Sequence, residues 1–218
     1  MAQGYARITD LPQVIPVFPL DGALLLPRGQ LPLNIFEPRY LNMIDDVMAG
    51  DRIIGMIQTA GGSRARPKLA PVGCAGRVTS YAETSDGRYL ITLTGVIRFH
   101  AGDELPGSLP YRQVRAAYDH FAEDLADPEE DAGLERDALL AALKAYLNRR
   151  QLDVDWDTAR EAPEDALVNS LSMALPFEPA AKQALLEAQD LPARAQVLTA
   201  LLAIDAASDD DDSPPSVQ

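Results

Sequence analysis

The side chains best suited to chemistry are few and widely spaced in this sequence. Its only histidines are His100 and His120, and its only cysteine is Cys74. None of the three has sequence neighbours at the spacing of a metal site or a nucleophile–base pair, so we interpret all three as structural residues. The sequence also lacks a phosphate-binding glycine loop, a dinucleotide fingerprint and a nucleophile elbow. It therefore predicts no catalytic residue, no metal and no cofactor.

One group of acidic residues, Asp153, Asp155 and Asp157, alternates as calcium ligands do. An EF-hand loop starting at Asp153 would need glycine at its sixth position and glutamate at its twelfth. Glu164 meets the second requirement, but Thr158 stands in place of the glycine. Calcium binding is therefore not expected.

Charge divides the chain into two unlike halves. The 218 residues carry a formal net charge of −14; residues 1–118 hold 12 Lys and Arg against 10 Asp and Glu, whereas residues 119–218 hold 7 against 23. Such acidity disfavours nucleic acids and anionic membranes as partners of the whole surface. The change in charge predicts a boundary near residue 119.

Size and composition indicate a globular protein of the cytoplasm. With 47% hydrophobic residues, a chain of this length can bury a substantial core. A single cysteine fits a reducing compartment. The first residues lack the pattern of a secretory signal, and no run of about 18 apolar residues occurs, so neither secretion nor a membrane span is predicted.

The elements of the first half are short and rich in glycine and proline. Residues 14–20 are strand-like, but two prolines place them at a sheet edge or make the strand irregular. Pro38 begins a helix that ends at Gly50. A strand over 52–58 precedes a loop over 59–71, and two further strands form a hairpin around Gly87.

The second half reads as helical. One helix carries Leu139, Leu143 and Tyr146 on a single face, and Pro163, Pro179 and Pro192 each stand where a helix can begin. We divide the chain into an N-terminal extension (1–11), a β-barrel subdomain (12–118), a helical bundle subdomain (119–205) and a disordered acidic tail (206–218).

An ordered series of short motifs runs through both halves. It comprises Pro16-Val17-Phe18-Pro19-Leu20, Phe36-Glu37-Pro38-Arg39-Tyr40, Gly55-Met56-Ile57-Gln58, Val72-Gly73-Cys74-Ala75-Gly76, Leu93-Thr94-Gly95-Val96-Ile97-Arg98-Phe99, Leu167-Val168-Asn169-Ser170-Leu171 and Pro176-Phe177. Over residues 12–203 the series closely resembles the N-terminal substrate-binding domain of Lon ATP-dependent proteases, and the stand-alone bacterial proteins that consist of this domain. The resemblance implies an α+β fold, mainly β in its first half, in which a PUA-like pseudo-barrel of antiparallel strands precedes a C-terminal helical bundle.

The resemblance also implies a function. The chain lacks the ATPase and Ser-Lys protease modules of full-length Lon, and Ser170 with Lys182 does not form a recognisable dyad, so we expect no enzymatic activity. We expect instead a module that binds unfolded or extended polypeptide segments in protein quality control, with a full-length Lon-type protease as a candidate partner.

Phe36, Arg39 and Tyr40 are the predicted binding residues, because an aromatic pair beside an arginine offers apolar area and a hydrogen-bonding fork. In the competing interpretation, Phe36 and Tyr40 only pack the helix onto the barrel, and Arg39 pairs with Glu37.

RNA binding is the alternative function, because other PUA-like folds bind RNA. Its contacts would be Arg64, Arg66, Lys68 and Arg77. Fold alone does not establish function, and the charge of the chain disfavours it.

Overall fold

Five of the six strands in the computed structural model close into a ring. The structure describes residues 5–63, 66–128, 131–152 and 154–207. The strands are β1 (Val14–Pro19), β2 (Gln30–Ile35), β3 (Ile53–Ser63), β4 (Arg66–Glu83), β5 (Tyr89–Glu104) and β6 (Arg112–Ala117). The ring runs β1–β3–β4–β5–β6 and back to β1; the β1–β3 pairing is parallel and the others are antiparallel. Strand β2 lies outside the ring, antiparallel to the first part of β5.

The helices are α1 (Pro38–Ala49), α2 (Arg136–Arg149), α3 (Trp156–Glu161), α4 (Glu164–Ala174), α5 (Pro179–Glu187) and α6 (Leu191–Ala207). A 3₁₀ helix, Asp119–Leu125, leads from β6 towards the helical half. The α+β class, the pseudo-barrel and the helical second half predicted from the sequence are thus confirmed.

Strand β1 is not a sheet edge, because it pairs with β3 on one side and with β6 on the other. Its residues Val14 to Val17 pair with β6, whereas Val17 to Pro19 pair with β3. Pro16 falls in the part that pairs only with β6, so its missing N–H interrupts no bond to β3.

The predicted loop over residues 59–71 is wrong. Strand β3 continues to Ser63 and β4 begins at Arg66, so these residues extend the hairpin. The pairing shifts register between Ile57 and Thr59 and again before Gly62, and Gly61 and Gly62 both have positive φ angles. Bulges of this kind let glycine-rich, polar residues stay within a ladder, which is why the composition resembled a loop.

Two glycines allow close approaches between neighbouring backbone segments. A Cβ on Gly95 would lie 2.0 Å from the carbonyl oxygen of Leu26, and one on Gly73 would lie 2.7 Å from the carbonyl oxygen of Met56. Glycine is required at both places because the backbones approach each other directly.

Helix α1 follows the predicted bounds, and Tyr40, Met43, Ile44 and Val47 form its buried face. In the helical half, α2 and α6 pack against each other, and Leu143, Tyr146 and Leu198 are among the residues buried there. Helix α3 was not predicted. Asp155 begins it by accepting bonds from the backbone N–H groups of Asp157 and Thr158, so this aspartate caps a helix.

No helix among the described residues is long and apolar enough to cross a membrane. Helix α6 ends at Ala207 and so includes the first two residues of the predicted tail (206–218), whereas residues 208–218 lie outside the described residues. The four subdomain limits drawn from the sequence stay predictions.

Candidate functional site

The structure separates the three predicted binding residues by exposure. The ring of Tyr40 is 6% exposed and packs edge-on against Phe18, with 4.2 Å between ring centroids. Burial raises the pKa of Tyr40. Arg39 lies over the Tyr40 ring at 4.5 Å and pairs with Glu37 at 2.8 Å. Phe36, by contrast, is 61% exposed.

Phe36 belongs to an apolar surface that we call the Phe36 patch, made of Phe36, Arg88 and Leu90. Leu90 is 45% exposed and lies opposite Asn34 in the β2–β5 ladder. The guanidinium of Arg88 lies 5.8 Å from the centre of the Phe36 ring. Alternate residues of a strand share one face, so Phe36 and Leu90 point to the same side of the sheet.

A cleft of about 580 Å³ separates the beginning of β2 from α4. We call it the β2 cleft. Leu31 and Pro32 form one wall, and Ala166, Ser170 and Met173 form the other. The cleft and the Phe36 patch lie towards opposite ends of β2, a strand about 17 Å long at the usual rise per residue.

Arg28 fixes the inner end of this cleft. Its φ angle of 66° is costly for a residue other than glycine, by about 1 kcal/mol or more. Its guanidinium bonds to the Asp165 carboxylate at 3.0 Å and to the carbonyl oxygen of Asp124 at 3.1 Å. These bonds tie the start of β2 to α4 and to the 3₁₀ helix, and they hold the strained conformation.

A buried polar junction joins the barrel to the helices behind the cleft. Arg98 is 4% exposed; it pairs with Asp124 at 2.9 Å and donates to the carbonyl oxygens of Leu186 and Ala188 at the end of α5. Arg194 donates to Asn169 at 3.0 Å, and burial together with the nearby Arg98 lowers its pKa to about 10. Apart from Nη2 of Arg194, which is buried without a hydrogen-bond partner in the part of the chain that the structure describes, the guanidinium groups of this junction bond to neighbouring protein groups, so we interpret it as structural.

Cys74, Ser170 and Lys182, to which the sequence assigns no catalytic role, differ in exposure and in their contacts. Cys74 is buried, and burial raises the pKa of its thiol, so the thiolate nucleophile is suppressed. Ser170 is exposed on α4, while Lys182 is buried on α5 and donates to the carbonyl oxygen of Met173 at 2.6 Å. Burial lowers the pKa of Lys182.

Sequence reasoning missed that His100 and His120 are in contact, with 5.2 Å between their ring centroids. No group of three or more His, Cys, Asp or Glu among the described residues could hold a metal ion.

Of the residues considered for RNA binding, Arg77 lies 5.9 Å from the Tyr5 ring and Lys68 borders a surface pocket beside Pro67. Arg64 and the side chain of Arg66 lie outside the described residues.

Comparison with known proteins decides the family. A family model described as the ATP-dependent protease La (LON) substrate-binding domain matches residues 14–203. The chain belongs to this Lon domain family. Lon protease 2 of Myxococcus xanthus is 27% identical over 214 residues, which cover 91% of this chain and 24% of that protein. The chain thus spans about a quarter of the length of that curated relative.

Two solved structures share the Lon domain fold. A Lon N-terminal domain protein from Xanthomonas campestris aligns with a TM-score of 0.60 and 22% identity, over 86% of this chain and 97% of that one. The N-terminal domain of a Mycobacterium avium complex Lon protease gives 0.61 and 21%, over 87% and 98%. At these identities the likeness concerns the fold.

The β2 cleft was not predicted from the sequence. Its walls come from residues more than a hundred positions apart, and a local pattern holds no information on such a pairing. The motif Leu167-Val168-Asn169-Ser170-Leu171 includes two residues that line the cleft, but in the sequence it indicates the family and not a binding site.

Proposed function

We propose that this Lon domain is a non-catalytic module that binds exposed segments of unfolded or extended polypeptides in protein quality control. The observation that carries the proposal is the match of residues 14–203 to a substrate-binding domain of an ATP-dependent protease. A full-length Lon-type protease in the cytoplasm is the proposed partner that would degrade what this module holds.

The Phe36 patch supports the proposal physically. An unfolded polypeptide exposes apolar side chains, and these lose contact with water when they cover Phe36 and Leu90. Arg88 beside the Phe36 ring adds donors for the backbone carbonyls of a bound segment. Aromatic residues and arginine are the types that contribute most to binding at protein interfaces.

In this proposal Arg39 donates hydrogen bonds to the bound segment, whereas Tyr40 positions helix α1. The guanidinium of Arg39 is about half exposed and is held between Glu37 and the Tyr40 ring, so it can donate to a bound carbonyl. Tyr40 is buried and is a positioning residue, because it anchors the start of α1 beside Phe18.

RNA binding is not favoured. The family model and the structural neighbours are Lon domains.

The first test measures binding of a labelled protein that is reduced and carboxymethylated so that it cannot fold, with its native form as the competitor. Fluorescence anisotropy should show binding of the unfolded form and little effect of the native competitor. Phe36→Ala should raise the Kd about fivefold or more, which is the effect of truncating an aromatic residue that contributes more than about 1 kcal/mol.

Leu152→Ala is the matched control, because Leu152 is 55% exposed and lies in the helical half. It should leave the Kd unchanged. The proposal is wrong if the wild type does not bind the unfolded protein, or if Leu152→Ala weakens binding as much as Phe36→Ala does.

A further inference from the structure

Among the described strands, β2 alone has one whole side without a partner strand, whereas the outer part of the β3–β4 hairpin, which pairs only within itself, leaves local open edges. Strands β1, β3, β4 and β6 each pair on both sides, and β5 pairs with β4 on one side and with β2 and β6 in succession on the other. An open edge presents backbone N–H and C=O groups that can pair with another extended chain.

The hydrogen bonds at the start of the ladder show which peptide groups face outwards. Gly95 donates its N–H to the carbonyl oxygen of Gly29 at 2.9 Å, the bond expected next to a pair, Gln30 and Thr94, that is not itself hydrogen-bonded. Such pairs alternate along an antiparallel ladder, so Leu31, Leu33 and Ile35 bond to β5. The peptide groups of Gln30, Pro32 and Asn34 therefore face the open side.

Pro32 agrees with this register. It has no N–H group, and at an outward position it removes no bond to β5. The open side of β2 consequently offers two donors, the N–H groups of Gln30 and Asn34, and three carbonyl acceptors. It is a short edge with a fixed pattern of hydrogen-bonding groups.

Helix α4 faces this edge across the β2 cleft. Ala166 and Ser170 are exposed on α4, one helical turn apart, and these small side chains leave room beside the strand. The cleft is closed at one end, where a Cβ on Gly29 would lie 2.4 Å from the sulfur of Met173. On the strand side its lining runs along β2 from Gln30 to Pro32.

Charge favours a basic occupant. The chain has a net charge of −14. The described lining of the cleft has one basic and one acidic residue, Arg28 and Asp165, which form an ion pair, so the attraction comes from the acidic charge of the whole chain. A segment that carries basic residues is attracted to such a surface, and an acidic one is repelled.

We propose that an extended, basic segment of polypeptide adds to the open edge of β2 as a further strand, between β2 and α4. Backbone bonds to Gln30, Pro32 and Asn34 supply affinity that does not depend on sequence. In the bound segment, every second side chain lies on the same face of the sheet as Leu31 and Leu33 and is apolar. The side chains between them carry the positive charge. This inference rests on the proposed function and names the mode of binding.

The test uses a labelled peptide of alternating valine and lysine and two analogues. One is N-methylated at every lysine and the other at every valine. In an added strand only alternate N–H groups face β2, so one analogue should bind about tenfold more weakly and the other should bind as the parent does. Loss with methylated lysine indicates an antiparallel strand, and loss with methylated valine a parallel one. Equal affinities of the two analogues would overturn the proposal.

Variants of the protein provide the second measurement. Asn34→Pro removes an outward donor and no ladder bond, and it should weaken binding of the parent peptide about fivefold or more. Asn34→Ala keeps the N–H group and should bind as the wild type. Equal binding by the two variants would contradict the added strand.

Hydrogen exchange is measured in the wild type, so this test does not depend on whether a variant folds. Saturation with the parent peptide should slow exchange of the Gln30 and Asn34 amides and leave that of Leu33 unchanged. If the unfolded protein of the first test binds but these amides are not protected, the added strand is wrong and the proposed function stands. If neither the unfolded protein nor the peptide binds, both are wrong.

Discussion

The hydroxyl groups of two tyrosines make hydrogen bonds at the two ends of β6. Tyr111 donates to the carboxylate of Asp46 on α1 at 2.7 Å, and Tyr118 donates to the carbonyl oxygen of Pro12 at 2.8 Å. Burial, together with the Asp46 carboxylate, raises the pKa of Tyr111 to about 12. Burial also raises the pKa of Tyr118. Both residues bond as the neutral phenol.

The free energy of unfolding should therefore fall as the pH rises from about 10 to about 12. An unfolded tyrosine loses its proton near pH 10, whereas folded Tyr111 keeps it to about 12. In this range the unfolded state binds fewer protons, so a rise in pH favours unfolding. Urea unfolding at a series of pH values measures the slope. Tyr111→Phe should make the slope shallower, and an unchanged slope would contradict this assignment.

The different exposure of Phe36 and Tyr40 shows that residue type alone does not separate a binding residue from a packing residue. Both are aromatic, and the sequence supported both a shared binding role and a shared packing role. The structure buries Tyr40 and exposes Phe36. Tyr40 lies on the inner face of α1, while Phe36 follows the last residue of β2 and alternates away from buried Ile35.

At the scale of elements, the close approach of Gly95 to Leu26 allows the segment before β2 to pack directly against β5. Arg28 donates its N–H to the carbonyl oxygen of Gly95 at 2.8 Å, so this contact also sets the register of β2. The segment before β2 contributes Leu24, Leu25 and Leu26 to the core.

Gly95→Ala should lower the free energy of unfolding by about 3 kcal/mol, because a Cβ 2.0 Å from the Leu26 carbonyl oxygen forces the two backbones apart. Gly107→Ala is the matched control. A Cβ there meets nothing closer than 3.9 Å, and the change should be small. Urea denaturation compares the two, and a similar effect of both substitutions would show that the close approach is not the cause.

At the scale of the whole molecule, Arg98 couples the barrel to the helices. It lies on β5, and its partners are Asp124 on the 3₁₀ helix and the backbone carbonyls that end α5. Gln58 on β3 makes a second connection, donating to Gln183 of α5 at 3.0 Å. The halves that differ in charge are therefore joined by polar groups buried between them.

Arg98→Met should destabilise the protein by about 3 kcal/mol or more, because it leaves the carboxylate of Asp124 buried without its partner. The double variant Arg98→Met, Asp124→Asn should lose less, since the uncompensated charge is gone. Arg150→Met, which breaks the exposed pair with Asp205, should cost less than about 1 kcal/mol.

Two probes of unfolding test whether the halves separate. Trp156 is the only tryptophan and lies in the helical half, so its fluorescence reports on that half, whereas circular dichroism reports on both. The two transitions should coincide in the wild type and diverge in Arg98→Met. Coincident transitions in both proteins would mean that other contacts suffice for coupling.

The sequence by itself determined the local elements and the family. The bounds of α1, the hairpin turn at Gly87 and the starts of α4 and α5 follow from proline, glycine and apolar spacing, which act within a few residues. The ordered motifs pointed to the Lon domain.

Only the tertiary structure decided how the elements combine. It extended β3 to Ser63, began β4 at Arg66, exposed Phe36, and placed the open edge of β2 opposite α4. Each of these depends on residues far apart in the chain, because strand pairing and burial are decided by long-range packing rather than by local preference.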